Sequence, residues 1–276
     1  MNIGYLGPEG TFSQQAAQTL AAGENIIPYH SFWEALEAVE EDKIDGAIVP
    51  IENSIEGTVN ATVDTLVFDV NLCIQELLIM PIEQCLLGKP GMKIGNIKTV
   101  MSHSHALPQC KGFFREHLPR VDTVTTSSTA EGIRIAAESP IEAGVAAIGA
   151  KTAAKLYGLE ILAEGIQDNN SNFTQFIRVS KNNTTTPEGG KRATLCFSTE
   201  NKPGSLYKLL DIFAIFDVNM VKIVSRPMRN KPMEYVFIID LETENNEKDV
   251  RDALTMLERK TSFYKNLGFY NVVDKR

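Results

Sequence analysis

Residues 160–180 read EILAEGIQDNNSNFTQFIRVS: two apolar, β-branched runs, EILA and FTQFIRVS, set around a polar turn. Two more strands at this point bring the chain back toward its beginning. Before them, NIGYL, TFSQQAAQTLAA, NIIPY, SFWEALEAVEEDK, DGAIVP and TVNATVDTLVF alternate strand with helix, the pattern of a parallel α/β sheet. Residues 72–87, LCIQELLIMPIEQCLL, are apolar and interrupted by Pro81, which reads as extended chain leaving that unit. A second unit follows: IKTVMS, a helix through residues 109–117, VDTVTT, STAEGIRIAAES, GVAAIG and AKTAAKLYG, with Gly158 as a helix C-cap. The outward run and the return give two lobes joined by two crossings, with lobe one near 1–78 and 161–180 and lobe two near 79–160. Clefts between such lobes are usual ligand sites.

Residues 181–191, KNNTTTPEGGK, have the composition of a linker. Beyond it the rhythm changes. RATLCFST, GSLYKLLDIFAIF, VNMVKIVSRP, MEYVFIIDLE, EKDVRDALTMLERK and FYKNLGFYNVV read strand, helix, strand, strand, helix, strand, so residues 192–276 form a ferredoxin-like βαββαβ domain. Its sheet is expected to carry helices on one face and a partner or solvent on the other. In the first unit, Ser31 and Glu34 have capping-box spacing before the face Trp33, Leu36, Val39.

The totals fit this plan: 276 residues, 43% hydrophobic, can bury the cores of two domains. With 27 Lys and Arg against 35 Asp and Glu, and no basic run, nucleic acid is excluded as a partner. The start MNIGYLGPEG lacks a basic n-region before an apolar core, and no stretch reaches the roughly 20 apolar residues of a membrane span, so no membrane is expected and the location expected is cytoplasmic. Cys73, Cys85, Cys110 and Cys196 lack CxxC spacing and read as buried thiols. His103, His105 and Cys110 have no second matching pair, so no metal is expected.

GPEGTFSQQAA, residues 7–17, has the glycines of a phosphate loop without the GxxxxGK[ST] pattern. Its alternatives are a helix capped by Thr11, or helix N–H groups that, with Thr11 and Ser13, take a carboxylate. Four such loops lie between strands and helices: GTFS, ENSIEGT, SHSHAL and SSTAEG. Together they suggest a cleft lined with helix N-termini, each favouring an anion by about 0.3–1 kcal/mol, able to hold a dicarboxylate without lysine. Glu52 and Glu56 add paired carboxylates: one reading is acid–base work by Glu52, the other a loop acid bonded to its own backbone. In FTQFIRVS, Thr174, Phe176 and Arg178 face one way and Gln175 and Ile177 the other. These residues alone choose no reaction.

Taken together, GPEGTFS, PIENSIEGTV, SHSHALPQC, Ser128 with Thr129, YGLEIL with IQD, NFTQF, KPGSL and SRP resemble the monofunctional prephenate dehydratases, over essentially the whole chain. The resemblance implies a two-lobed, periplasmic-binding-protein-like catalytic region over 1–180 and an ACT domain over 192–276 that binds phenylalanine. It implies decarboxylating dehydration of prephenate to phenylpyruvate, with no cofactor. Arogenate as substrate, or a catalytically weak protein that binds an anion and senses an amino acid, are the alternatives. By the family pattern Thr174 assists the leaving hydroxyl as donor or relay, with Glu52, Asn53 and Ser54 as the other catalytic candidates. Thr11, Phe12, Ser13, Gly57, Thr58, Ser102, His103, Ser128, Thr129, Gln175 and Phe176 are carried over as the substrate cleft. Gly204, Ser205, Leu206, Asn219, Ser225, Arg226 and Pro227 are carried over as the effector site between paired ACT domains of a homodimer or homotetramer. Four places depart from the pattern, one of them Ser205 for the alanine of GAL. Gln175 stands for the arginine of Thr-Arg-Phe, which removes a charge for substrate; Ser104, His105 and Pro108 alter SHPQALAQC, with a late helix start near Pro108; and Val224 replaces the glutamate of ESRP, an expected weakening of feedback.

Overall fold

In the computed structural model, residues 1–169, 171–182, 186, 189–229, 231, 233–244 and 247–276 are described. The rest of the predicted linker, residues 183–185, 187 and 188, lies outside them. The alternation of the first part becomes β1 (Asn2–Leu6), α1 (Phe12–Leu20), β2 (Asn25–Tyr29), α2 (Phe32–Glu40), β3 (Gly46–Asn53), β4 (Gly57–Thr58), α3 (Asn60–Phe68) and β5 (Cys73–Pro81). β1 lies between β2 and β3, parallel to both. Ser31 begins α2 as expected: its hydroxyl accepts from Glu34 N at 3.1 Å. The buried stripe of α2 runs through Ala35, Leu36 and Val39, with Phe32 packed on it. Trp33 sits one position, about 100°, off that stripe and is half exposed.

The second unit is β6 (Cys85–Gly88), β7 (Thr99–His103), α4 (Lys111–His117), β8 (Asp122–Thr126), α5 (Thr129–Glu138), β9 (Val145–Gly149), α6 (Lys151–Tyr157) and β10 (Glu160–Ala163), in a mixed sheet ordered β10-β6-β9-β7-β8. Leu107–Cys110 is a 3-10 turn and α4 starts only at Lys111, the late start that Pro108 imposes. Gly158 caps α6 in the left-handed conformation at φ 64°. One boundary moves. β10 pairs with β6, and β5 stays in the first sheet through Pro81, so the crossings lie at 82–84 and 164–172. β11 (Phe173–Ser180) then returns to the first sheet, antiparallel between β5 and β3.

The remaining elements are β12 (Arg192–Ser198), α7 (Ser205–Ile215), β13 (Met220–Pro227), β14 (Tyr235–Glu242), α8 (Glu247–Lys260) and β15 (Phe263–Asp274). Their order, β13-β14-β12-β15, is that of a ferredoxin-like sheet. It is not a separate layer. Asn271–Asp274 of β15 pair in parallel with Glu76–Ile79 of β5, so one ten-stranded sheet runs through both regions.

Neither partner nor solvent covers the far face of the C-terminal sheet: α3 does. Val63, Leu66, Val67, Thr62 and Thr65 are all buried, because α3 is held between lobe one and that sheet. Four cations complete the contact. Arg226 grips Asp64 with two 2.6 Å bonds and reaches Asn60 at 3.0 Å. Arg229 pairs with Asp69 and lies 5.0 Å over the Phe68 ring. The Lys265 ammonium, its pKa lowered by burial, donates to Leu66 O and Val70 O at the end of α3. Lys222 meets Glu52. Removing one partner of such a partly buried pair strands the other. Arg226→Met is therefore expected to cost about 2 kcal/mol and to lower Tm by about 5 °C, read by scanning calorimetry.

Candidate active site

The register of β3 against β11 arranges the polar residues. Thr174 lies opposite Asn53 and Gln175 opposite Glu52, while Phe176 lies opposite Pro50, leaving Ile51 as a bulge in β3. Cross-strand partners share a face. Thr174 and Asn53 therefore share the face of α1, where Phe176 packs with Phe12, Ala17 and Met80. Glu52 and Gln175 take the opposite face, toward the C-terminal sheet.

Asn53 is the hub. Its Oδ1 accepts from Ile55 N at 2.9 Å and Glu56 N at 3.0 Å, holding the loop after β3. Its Nδ2 donates to Thr174 Oγ1 at 2.9 Å, Asn172 Oδ1 at 3.1 Å and Phe173 O at 3.2 Å. The Ser54 hydroxyl accepts from Phe173 N at 3.0 Å and donates to Ser171 O at 3.3 Å. Asn172 reaches across to lobe two, donating to Gln109 Oε1 at 3.0 Å. Beside this cluster lies a cavity of about 500 Å³, lined from lobe one by Ile55, Glu56 and Asn172 and from lobe two by His105 and Gln109. The lobes also touch where Tyr157 donates to Glu9 O at 3.1 Å. A Cβ on Gly10, φ 84°, would come within 2.9 Å of the Tyr157 ring.

Two of the four predicted loops, ENSIEGT and SHSHAL, supply this wall; in the other two, Thr11 and Ser128 cap helices. Thr11 donates to Pro8 O at 3.0 Å and accepts from Gln14 N at 3.3 Å. Ser13 is buried in α1. Phe12 lines a second cavity of about 470 Å³ with Gln15, Lys151 and Thr152. Ser128 caps α5, accepting from Glu131 N at 3.1 Å, and Thr129 is the first residue of that helix. Ser102 is fully buried and donates to Ile148 O at 2.9 Å, so it holds the second sheet together. His103 packs its ring 4.8 Å from His105; burial first, then His105, holds its imidazole below the usual pKa, so it is neutral at pH 7. Gly57 and Thr58 pair with Asn53 and Glu52 as β4.

Glu52 is not beside Thr174. Strand alternation turns it to the reverse face, where it pairs with Lys222, so general acid–base work beside the Thr174 hydroxyl is not its role. Arg178 does not replace the charge missing at Gln175: it pairs with Glu24 at 2.9 Å and donates to Leu20 O at 2.9 Å. Asn172, Gln109 and Asp168 carry no signal of a site residue in the sequence, and His105 stands there only as a metal-ligand candidate. Asp168 accepts from Gly112 N at 2.8 Å. Among the described residues, no group of three or more His, Cys, Asp or Glu gathers as metal ligands.

In the C-terminal sheet, Gly204 caps α7 at φ 77°, Ser205 opens that helix and Leu206 packs on the local core. Asn219 donates to Glu242 at 2.7 Å. Ser225 and Pro227 are exposed on the helix-bearing face of β13. Arg226 and Val224 alternate onto the other face, against lobe one, so the Arg226 guanidinium is paired with Asp64.

A hydroxyl and amide held on adjacent strands, and tied through Asn172 to the wall of an interlobe cavity, define an α/β enzyme that works in a cleft. The chain belongs to the prephenate dehydratase family, whose sequence model matches residues 3–184. It is 38% identical over 252 residues to prephenate dehydratase of Lactococcus lactis subsp. lactis (strain IL1403), covering 90% of this chain and 88% of that one. With prephenate dehydratase of Methanocaldococcus jannaschii it is 37% identical over 276 residues, covering 98% of each. The fold matches that of prephenate dehydratase from Arthrobacter aurescens in complex with L-Phe, with a TM-score of 0.88, 37% identity, and coverage of 98% of this chain and 90% of that one.

Proposed function

We propose that the protein converts prephenate to phenylpyruvate, CO₂ and water, and that phenylalanine regulates it through the C-terminal βαββαβ region acting as an ACT domain. The observation that carries the reading is the Asn53–Thr174 bond, joined through Asn172 to the cavity wall. In the step, the bond between the ring and its carboxylate breaks and its electron pair enters the ring. The para C–O bond breaks, and the hydroxyl leaves with the bonding pair and takes up one proton from solvent, relayed through Thr174, to become water. Carbon, oxygen and charge balance without an oxidant or reductant.

The chain has three tasks here: to hold a dianion, to assist the leaving hydroxyl, and to desolvate the departing carboxylate. Asn53 Nδ2 fills a lone pair of Thr174 Oγ1, which leaves the Thr174 proton to donate and polarises the O–H. Thr174 is the donor or relay to the leaving oxygen. Ser104, Gln109 and Asn172 offer neutral donors on the cavity wall. The carboxylates there are turned to partners of their own, Asp168 to Gly112 N and Glu56 to His105, 3.8 Å away.

The catalytic region runs from residue 1 to 180 and the regulatory region from 192 to 276, working in the cytoplasm; among the described residues no helix is long and apolar enough to cross a membrane. Two copies join through β13. It is the last strand of the sheet, and Val221, Ile223 at 45% exposed and Ile215 of α7 at 66% leave an uncovered apolar strip along it. Purified protein is expected to turn over prephenate, read as phenylpyruvate absorbance, faster than arogenate, read as phenylalanine formed by chromatography, and saturating phenylalanine to lower turnover and raise Tm. Ile223→Lys is expected to give a monomer by light scattering that no longer responds to phenylalanine. Turnover of neither substrate, with tight binding of prephenate, would leave only an anion sensor.

A further inference from the structure

Lys222 is the residue of the C-terminal sheet that reaches the end of β3. It sits mid-strand on β13, facing lobe one, with its side chain 17% exposed and that of Glu52 27% exposed. Methionine or leucine would fill this interface without the desolvation that an ammonium and a carboxylate suffer, and such replacements are often neutral or stabilising. Fold stability is therefore a weak reason for the pair. Orientation is a stronger one: Glu52 immediately precedes Asn53, on the strand where bulged Ile51 loosens the register. A carboxylate fixed from the reverse face sets the rotation of β3 at that point, and with it the aim of the Asn53 amide at Thr174.

The surroundings keep the ammonium on Glu52. Across β14, Lys222 also faces Asp240, which accepts from the Thr194 hydroxyl at 2.6 Å, and that hydroxyl lies 2.7 Å from Tyr270 Oη. Burial pushes the Asp240 carboxyl up, against the pull of Thr194, Lys222 and Arg192, so Asp240 competes weakly for the charge.

Resting on the proposed dehydration, we infer that Lys222 is a positioning residue for it, acting through Glu52 to hold the Asn53 amide on Thr174. Lys222→Met is expected to lower kcat about 10- to 100-fold with KM within about twofold, since a misaimed donor is felt in the transition state. Lys222→Arg restores most of the loss. Glu52→Gln reproduces it, and the double variant Lys222→Met/Glu52→Gln is no slower than either single, the non-additivity of two residues on one line of action. The double variant also regains the wild-type Tm, because no charge is left stranded, while its kcat stays low. That separation is one a merely structural pair cannot give.

A Lys222→Met enzyme with wild-type kcat overturns the inference; if Glu52→Gln is nonetheless slow, Glu52 itself acts on the substrate. A double variant whose kcat recovers with its Tm overturns it as well. A wild-type protein inert toward prephenate defeats the proposed function instead, and is read first.

Discussion

Thr174→Ala is expected to lower kcat about 10³-fold, with KM changed less than about threefold. On the proposed reaction the hydroxyl gives a proton or a strong hydrogen bond to the departing oxygen, and that contact develops only as the C–O bond breaks. Its removal thus raises the barrier without weakening ground-state binding. The fold should tolerate the change. Asn53 Nδ2 keeps Asn172 Oδ1 at 3.1 Å and Phe173 O at 3.2 Å, so no buried donor is orphaned, and Tm should fall by no more than about 3 °C. Thr174→Ser keeps the oxygen and should retain at least a tenth of the rate. Phenylpyruvate absorbance gives kcat and KM together. A Thr174→Ala enzyme with more than about a tenth of wild-type turnover would mean that the proton comes from elsewhere.

The architecture was legible because it is written in local signals. The return at residues 160–180, the capping box at Ser31 and Glu34, the late helix after Pro108 and the βαββαβ rhythm each depend on neighbours a few residues apart. The parallel pairing of β15 with β5 depends on strands far apart in the chain, and nothing in FYNVV marks it. The same holds for α3. Its buried polar residues Thr62 and Thr65 make sense only once a second sheet lies on it.

The site divides in the same way. Thr174, Asn53 and Ser54 lie in motifs that sequence alone picks out, and alternation along β11 follows from strand geometry. The face taken by Glu52 follows instead from the register against Gln175, a property of the pair of strands, so the sequence left its role open between acid–base work and a loop acid. Thr11 and Ser128 illustrate a different limit. A hydroxyl at a helix start can cap the helix or turn to a ligand, and the sequence pattern is identical for both. Arg226 belongs by motif with the effector, yet one residue of alternation separates it from Ser225 and sends it to Asp64.

Asn53→Asp should be nearly as damaging as loss of the Thr174 hydroxyl, although it changes no shape. The Oδ1 contacts survive, since a carboxylate accepts from Ile55 N and Glu56 N as the amide does. The other position is inverted. Nδ2 now gives two hydrogen atoms among three acceptors, Thr174 Oγ1, Asn172 Oδ1 and Phe173 O. An oxyanion there repels two of them and turns the third. Thr174 is the one that can adapt, by rotating its own proton toward the new carboxylate, and a threonine donating to that carboxylate has nothing left for the leaving oxygen. The expected result is a fall in kcat of about 10²- to 10³-fold, together with a Tm lower by about 5 °C from the repulsion of Asn172 Oδ1 and Phe173 O. Lowering the pH should restore part of the stability, since the introduced carboxyl, once protonated, carries one hydrogen and can donate again. It should restore less of the rate, because that hydrogen is shared among three acceptors. An Asn53→Asp enzyme that keeps wild-type turnover at neutral pH would show that the orientation of the Thr174 hydroxyl is set by the substrate and not by the strand beside it.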